Sequence, residues 1–218
     1  MGLSGIKLPA NRPAGLVYST GDCLPLSMPT YSEERVELGA PLPAFSLLSV
    51  CGERIESKHL AGKPVVVVFT CGHCPYVQAV EDRMIALARE FIPRGVQWIG
   101  IAANDPALHP DEDSPEALCR RLSEKNYPFP ILFDETQAVA KAFGAVCTPE
   151  FFVYDAAHKL YYHGRLDDNW KDPKGVTRQE LREALEALLA GQAPPQPQYP
   201  AMGCSIKWRG QGEYSLPW

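Results

Sequence analysis

No stretch of this sequence is long and apolar enough to span a membrane as a helix. The longest uninterrupted apolar run covers residues 65–69, whereas a membrane-spanning helix needs about 20 apolar residues. Residues 1–9 also lack the basic segment and the long apolar segment of a secretory signal peptide. We therefore expect a cytoplasmic protein that has no membrane partner.

The sequence also has no excess of positive charge. It combines 21 Lys and Arg residues with 26 Asp and Glu residues, which gives a formal net charge of −5 at pH 7. Proteins that bind nucleic acid neutralise phosphates with basic side chains, so we expect no nucleic acid partner. The chain has 218 residues, of which 45% are hydrophobic, and this is enough to bury a full core.

Cysteine is too sparse for the disulfide scaffold of a small secreted protein. The seven cysteines are scattered at positions 23, 51, 71, 74, 119, 147 and 204. We interpret Cys23, Cys51 and Cys119 as small residues of the core or the strands. We expect a reducing compartment in which one pair, Cys71 and Cys74, is redox-active.

A metal site is not expected at this pair. A zinc site takes four ligands as a rule. The sequence near Cys71 and Cys74 contains no second cysteine pair and no closely spaced pair of histidines. The spacing of two cysteines alone carries little weight, so the interpretation depends on the residues that flank them.

The flanking residues favour a redox-active dithiol. The apolar run before the pair is rich in β-branched residues, which predicts a strand buried on both faces. After the pair, apolar residues recur at the helical spacings of three and four, at Val77, Val80, Met84, Leu87 and Phe91. Pro75 fits the first turn of such a helix. The N-terminus of a helix offers free N–H groups and a partial positive charge, and both stabilise a thiolate.

The remaining patterns predict an α/β fold. Apolar runs predict strands at residues 96–102, 130–133, 151–154 and 160–163, of which the last two form a hairpin. Capping residues predict helices after Ser114 and after a capping box at residues 177–180. A further helix is predicted at residues 136–143. This order predicts a mixed sheet flanked by helices.

The ends of the chain differ from this middle part. Residues 1–39 contain several prolines and no clear periodicity, so we assign them to an irregular N-terminal extension. Residues 40–191 form the predicted domain. Residues 192–218 begin with a proline-rich linker and end in a tail that holds Cys204.

The order of elements and two motifs resemble the thioredoxin fold, in its peroxiredoxin-like branch of redoxin and AhpC/TSA-related proteins. The motifs are residues 69–75 (Phe-Thr-Cys-Gly-His-Cys-Pro) and residues 147–155 (Cys-Thr-Pro-Glu-Phe-Phe-Val-Tyr-Asp). Residues 164–170 and 203–208 also look like those of a bacterial peroxiredoxin-like subgroup. The resemblance covers about residues 40–191, and it implies a thioredoxin-like α/β fold with a CxxC active site and with N- and C-terminal extensions.

Cys71 is the predicted nucleophile, since it lies nearest the helix end and is expected to be the more exposed sulfur. Cys74, one turn deeper, is the predicted resolving thiol that attacks the mixed disulfide. In the family, the second motif contains a cis-proline, which implies that Pro149 places the backbone of Thr148 opposite Cys71. An extended partner peptide would then pair with Thr148 as an added strand.

His73 is predicted to tune the dithiol. An imidazolium between the cysteines favours a nearby thiolate, so we expect a reduction potential above the roughly −270 mV of thioredoxin, at roughly −180 to −240 mV. The alternative is an exposed histidine with little effect. Thioredoxin has a buried Asp where this chain has Val65, so the proton must be handled by water, His73 or Glu81.

Two further cysteines have open roles. Cys147 lies two residues before Pro149, and it is either a third redox thiol, a modification site or, as we favour, a small residue on the rim of the site. Cys204 lies in the tail behind the proline-rich linker. We expect no catalytic role for it; the alternative is a resolving or shuttle thiol that a flexible linker would bring to the dithiol.

These observations predict an enzyme, a thiol–disulfide oxidoreductase that acts on disulfides of proteins or small molecules and draws on a thiol reductant system without a cofactor. One alternative is an antioxidant thiol peroxidase of the peroxiredoxin type. Against it, Cys71 occupies the position of the peroxiredoxin Thr, and the Arg expected near Cys147 and Thr148 is missing. The second alternative is a redox-regulated binding protein whose extensions form the partner surface.

Overall fold

The computed structural model describes residues 29–32 and 36–210. Cys23 therefore lies outside the described residues. The strands are β1 (Thr30–Tyr31), β2 (Ser46–Ser49), β3 (Arg54–Glu56), β4 (Val65–Phe69), β5 (Gln97–Ala102), β6 (Ile131–Phe133), β7 (Cys147–Thr148), β8 (Glu150–Tyr154), β9 (Leu160–Gly164) and β10 (Met202–Ser205). The helices are α1 (Pro75–Phe91), α2 (Pro110–Asp113), α3 (Pro115–Lys125), α4 (Ala138–Phe143) and α5 (Glu180–Leu189). None of these described helices is both long and apolar enough to cross a bilayer.

The main sheet is mixed and has the strand order β3-β2-β6-β5-β4-β8-β9. Strands β4, β5 and β6 run parallel to one another, and the other neighbours are antiparallel. The central strand β4 is buried along its whole length, as its apolar run predicts. Val66 and Val68 face α1 and α5, whereas Val65, Val67 and Phe69 face α4. The predicted mixed sheet with helices on both faces is therefore confirmed.

Helix α1 begins one residue after the second active-site cysteine. Pro75 occupies its first turn, where the missing N–H costs nothing, and Cys74 is the N-cap residue. The prediction that Cys74 lies one turn inside the helix is wrong. Because the helix begins at Pro75, Cys74 lies at its positive end and Cys71 lies in the loop before it.

The two predicted helix caps have different outcomes. The Ser114 hydroxyl accepts a hydrogen bond from the N–H of Ala117, so this cap is confirmed. The capping box at residues 177–180 is wrong. The Thr177 hydroxyl donates to Asp168, and the Glu180 carboxylate pairs with Arg165. Tertiary partners therefore take both side chains that a local cap would need.

A second, three-stranded sheet joins the two ends of the described chain. Its order is β1-β10-β7, and both pairings are antiparallel. Part of each extension is therefore ordered on the domain, which the irregular extensions of the sequence analysis do not anticipate. The edge of β7 offers backbone groups that need partners, and β10 supplies them. Residues 201–209, which contain β10, are called the C-terminal strap below. The domain boundaries at residues 40 and 191 stay a prediction.

Cys51 and Cys119 form a disulfide, so their interpretation as small core residues is wrong. Cys51 lies in the turn after β2, Cys119 lies on α3, and their Cα atoms are 5.5 Å apart. The two residues meet because β2 pairs with β6, the strand that follows α3. Cys71 and Cys74 are thiols in this structure, so Cys51–Cys119 is the one disulfide among the described residues.

Removal of this disulfide is expected to destabilise the fold. The bond closes a loop with a sequence separation of 68, and such cross-links stabilise proteins by about 2–4 kcal/mol, mainly by restricting the unfolded chain. The variant Cys51→Ser should therefore lower the free energy of unfolding, measured by denaturant titration, by that amount. Cys119→Ser and the double variant should give the same loss, since all three break one bond. An unchanged unfolding midpoint in the double variant would contradict the disulfide.

Candidate active site

The two cysteines of the motif face Thr148 of β7. The Cys71 Sγ atom lies 3.2 Å from the Thr148 hydroxyl, and the Cys74 thiol donates a hydrogen bond of 3.2 Å to the Thr148 carbonyl oxygen. The two loops meet because β8, which follows Pro149, pairs with β4 at the strand end before Cys71. The Thr148–Pro149 peptide bond is cis, as the resemblance implies. The structure therefore brings Cys71, Cys74, Thr148 and Pro149 together.

Both sulfur-bearing residues are buried. Cys71 is 2% exposed and Cys74 is 0% exposed. They lie in a cluster with Tyr76, Val77 and Cys204, against which Met202 and Trp170 pack. Cys71 is the more exposed sulfur by this small margin, as expected, but neither sulfur is accessible in this state of the protein. The reason is the C-terminal strap, which covers the dithiol.

The strap occupies the edge of β7 that the sequence analysis assigns to a partner peptide. Cys204 pairs with Thr148 in the antiparallel register, and Ser205 pairs with Cys147. Gly203 permits this approach, because a Cβ atom at this position would lie only 1.9 Å from the Thr148 carbonyl oxygen. The backbone of Thr148 thus has the expected orientation, but its partner is the chain's own tail.

The strap is also tied to the loop after β5 and to the start of α4. The N–H of Lys207 donates to Asn104 Oδ1 at 2.9 Å, and the N–H of Asp105 donates to the Lys207 carbonyl at 2.9 Å. The Gln137 side chain donates to that same carbonyl and accepts from the N–H of Arg209. The expectation of a tail on a flexible linker is therefore wrong at the strap.

A buried carboxylate, Asp113 at the end of α2, organises the loop between the cysteines. Its Oδ1 accepts hydrogen bonds from the N–H groups of Gly72 (2.7 Å) and His73 (3.2 Å). Its Oδ2 accepts one of 3.0 Å from Asn104 Nδ2 and lies 2.7 Å from His73 Nδ1. Gly72 is required here, because a Cβ atom would lie 2.1 Å from the Glu112 carbonyl oxygen.

No sequence pattern predicts Asp113 as a residue of the site. It lies in an acidic segment, 41 residues from Gly72 in the chain, and nothing in the local pattern links the two. The signal that was available is indirect. The chain has Val65 where thioredoxin has its buried Asp, so a carboxylate was to be sought elsewhere.

The His73 side chain is not exposed, so the alternative interpretation of a solvent-exposed histidine is wrong. It is 9% exposed, pairs with Asp113, and stacks on the ring of His109 at a centroid distance of 3.9 Å. Burial and the nearby His73 lower the pKa of His109. The effect of His73 on the reduction potential stays a prediction, and the adjacent carboxylate opposes it.

The charge distribution differs between the two sulfurs. Burial raises the pKa of Cys71 well above its ordinary value, and Cys74 and the Asp113 carboxylate raise it further. Burial also opposes ionisation of Cys74. Hydrogen bonds from Cys204, from Cys71 and from the N–H of Val77 outweigh that burial and lower the pKa of Cys74. With the strap docked, Cys74 at the helix end therefore ionises more readily than Cys71.

Asp113 itself is ionised. Burial would raise its pKa, but hydrogen bonds from His73, Asn104 and Gly72 outweigh this and hold the pKa below its ordinary value. Cys71, His73 and Asp113 place potential metal-ligand atoms within 4.8 Å of one another. Both Asp113 oxygens already bind N–H groups, and a zinc site takes four ligands as a rule. We therefore interpret these three residues as part of the redox site, and the absence of a bound metal stays a prediction.

Glu81, another candidate for proton transfer, is not part of the site. Its buried carboxylate binds Arg121 at 2.6 Å and accepts a hydrogen bond of 2.6 Å from the Tyr127 hydroxyl. Cys147 is buried beside Glu150, and burial, followed by that carboxylate, raises its pKa well above the ordinary value. This environment favours the interpretation of Cys147 as a small structural residue over a redox role.

Substitution of Asp113 should shift the ionisation of Cys71. Asn has the same shape but no charge, so Asp113→Asn removes one of the causes that raise the pKa of Cys71. A thiolate alkylates and a thiol does not. The pH at which Cys71 alkylation reaches half its maximal rate should therefore fall, as followed by mass spectrometry. Asp111→Asn, an exposed position on the same helix, is the control, and an identical profile in both variants would exclude this role for Asp113.

Release of the strap should expose the dithiol. Gly203→Ala forces a backbone overlap with Thr148, and a loss of about 1.4 kcal/mol in docking already changes the open population tenfold. The rate at which a maleimide labels Cys71 and Cys74 should therefore rise at least about tenfold. Ser205→Ala on the same strand leaves docking intact and should label like the wild type. Equal labelling of all three proteins would mean that the strap does not control access.

One named relative and two solved structures are similar to this chain. A relative named thiol-disulfide oxidoreductase ResA, from Halalkalibacterium halodurans, is 31% identical over 144 residues, which are 66% of this chain and 73% of the relative. A crystal structure of an uncharacterized conserved protein from Geobacillus kaustophilus is 38% identical in sequence, with a TM-score of 0.78. The match covers 84% of this chain and 97% of that protein. The crystal structure of a hypothetical protein from Sinorhizobium meliloti 1021 is 33% identical in sequence, with a TM-score of 0.78. The match covers 84% of this chain and 100% of that protein.

The match to a family model is broader than any single motif. The model of the AhpC/TSA family covers residues 38–163, which include β2 to β8 and both motifs. It confirms the predicted thioredoxin-like α/β fold and its peroxiredoxin-like branch. The chain belongs to the AhpC/TSA family.

Proposed function

We infer that this protein is an enzyme, a thiol–disulfide oxidoreductase whose redox pair is Cys71 and Cys74. The observation that carries this function is the contact of both sulfurs with Thr148 at the N-terminus of α1. The ResA relative from Halalkalibacterium halodurans, 31% identical to this chain, is named for the same activity. The substrate class is a disulfide of a protein or small molecule, and a thiol reductant system restores the dithiol.

In the proposed cycle, the Cys71 thiolate attacks one sulfur of the substrate disulfide. This forms a mixed disulfide and releases the other substrate sulfur as a thiolate. Cys74 then attacks the Cys71 sulfur, which forms the Cys71–Cys74 disulfide and releases the second substrate sulfur. The substrate gains two electrons and two protons, and the protein loses them.

The order of attack follows from access. Cys74 is the N-cap residue of α1 and is fully enclosed, and its sulfur already donates to the Thr148 carbonyl oxygen. Cys71 lies in the loop before the helix and is the less buried sulfur, so an incoming disulfide reaches it first once the strap is released. Docking of the strap favours the thiolate on Cys74, and strap release removes the Cys204 hydrogen bond that contributes to this. Strap release therefore favours a shift of charge toward Cys71.

The proton route proposed here uses His73 and Asp113. Both groups lie within 4.8 Å of Cys71, and the chain has Val65 in place of the thioredoxin Asp. The His73–Asp113 pair takes up the Cys71 proton before the attack and returns one to a leaving thiolate. Asp113 itself acts by orienting His73 and the N–H groups of the loop.

The peroxidase alternative is less favoured. A peroxidatic cysteine needs a neighbouring hydroxyl and an Arg to stabilise the developing charge on the peroxide oxygens. The Cys74-Pro75 pair has the peroxiredoxin spacing, but Cys71 occupies the Thr position and Cys74 has no exposed surface.

Location in the cytoplasm remains part of the proposal, and the thiol or disulfide state of Cys51 and Cys119 trapped in cells tests it.

Activity assays on cysteine variants test the function. The wild type should catalyse insulin reduction by dithiothreitol, and Cys71→Ser and Cys74→Ser should each lose more than about 100-fold in rate. Cys74→Ser should trap a stable mixed disulfide on Cys71, because the resolving thiol is gone. Cys51→Ser/Cys119→Ser, which removes two cysteines remote from the site, is the control and should keep the activity.

The same proteins separate the alternatives. Hydrogen peroxide consumption should be negligible in the wild type. Peroxide turnover without insulin reduction would replace the proposal by the peroxidase. Failure in both assays would leave the redox-regulated binding protein. A mixed disulfide trapped on Cys74 in Cys71→Ser, and none on Cys71 in Cys74→Ser, would reverse the assigned order of attack.

A further inference from the structure

A third sulfur lies at the dithiol. Cys204 of β10 is buried, and it packs in one cluster with Cys71 and Cys74. Its partner in the antiparallel register is Thr148, the residue that both active-site sulfurs contact. All three cysteines therefore lie at one residue of β7, although Cys204 is more than a hundred residues from Cys74 in the chain.

Within this cluster, the Cys204 side chain interacts with that of Cys74. The Cys204 thiol hydrogen-bonds to the Cys74 sulfur. A hydrogen bond between two sulfurs brings them to a separation from which a disulfide forms with small movements of the side chains. Cys71 hydrogen-bonds to the same Cys74 sulfur and also lies 3.2 Å from the Thr148 hydroxyl.

We propose that Cys204 is a third redox residue of the enzyme, which replaces Cys71 as the disulfide partner of Cys74 by disulfide exchange within the chain. This proposal rests on the proposed function, because it starts from the Cys71–Cys74 disulfide that the cycle produces. The Cys204 sulfur attacks the Cys74 sulfur. The Cys74–Cys204 bond forms, the Cys71–Cys74 bond breaks, and the Cys204 proton passes to Cys71. No outside oxidant or reductant is needed, since one disulfide replaces another.

The strap supplies the positioning that this exchange needs. Its backbone is held on β7, where Gly203 approaches Thr148 more closely than any other residue type permits. Hydrogen bonds of Lys207 to Asn104 and Asp105 hold the residues after β10. Docking therefore presents Cys204 to Cys74 at a high effective concentration, as an attached substrate would be presented.

The exchange has a chemical consequence for the other two residues. The new disulfide fixes the strap covalently to the N-terminus of α1, and Cys71 returns to the thiol state while the protein remains oxidised. A molecule in this state retains its oxidising equivalent and has a Cys71 able to attack again. The substrate class is unchanged, but the oxidised protein exists in two forms instead of one.

The first test asks whether Cys74 and Cys204 pair in the full chain. Cys71→Ser is reduced, oxidised with glutathione disulfide, quenched in acid, alkylated and analysed by mass spectrometry without reduction. A linked peptide pair that contains Cys74 and Cys204 should form in most molecules. Gly203→Ala in the same background should lower its yield at least about tenfold, and Ser205→Ala should not change it. Absence of the linked pair from folded Cys71→Ser overturns the proposal.

The second test uses the wild type, so it does not depend on the folding of a variant. After partial oxidation, molecules that carry one disulfide beyond Cys51–Cys119 are sorted by their alkylated cysteines. The proposal requires a fraction labelled on Cys71 and linked between Cys74 and Cys204. If every such molecule is linked between Cys71 and Cys74 and catalyses turnover, the role of Cys204 fails and the proposed function stands. If neither linkage forms and insulin is not reduced, the proposed function fails.

Discussion

The antiparallel pairing of β10 with β7 is the contact on which the enclosure of the dithiol depends. Thr148 lies at its centre, because its backbone pairs with Cys204 while its hydroxyl and carbonyl contact Cys71 and Cys74. An exposed strand edge attracts any extended segment that can complete it. Here the chain provides that segment itself. Under the proposed function, a partner peptide would therefore compete with the strap for one row of backbone groups.

The electrostatics of the site depend on the same strap. Asn104 accepts a hydrogen bond from the Lys207 N–H and donates one to Asp113, so a single amide connects the strap to the carboxylate beside the dithiol. In a buried site, such a connection is strong because little water screens it. Asp113 enters from α2 and not from the central strand. The family fold is thus retained while the buried carboxylate beside the dithiol comes from another element.

Elements defined by local periodicity were predictable from the sequence, and contacts between distant segments were not. The apolar run of β4 and the helical spacing of α1 gave both elements and placed Cys71 and Cys74 between them. Asp113, the disulfide of Cys51 with Cys119, and the docked strap depend on how the sheet brings remote loops together, for which no local signal exists. The capping box failed for the same reason, since residues distant in the chain bind its side chains.

The lack of space for a side chain at Gly72 limits how the sequence of this active site can vary. A side chain there would collide with the Glu112 carbonyl oxygen unless α2 moved, and α2 carries the carboxylate that holds the loop. Of the two positions between the cysteines, only the one occupied by His73 is therefore open to substitution. Natural or engineered variants of this loop can therefore differ at position 73, whereas position 72 is fixed by steric exclusion.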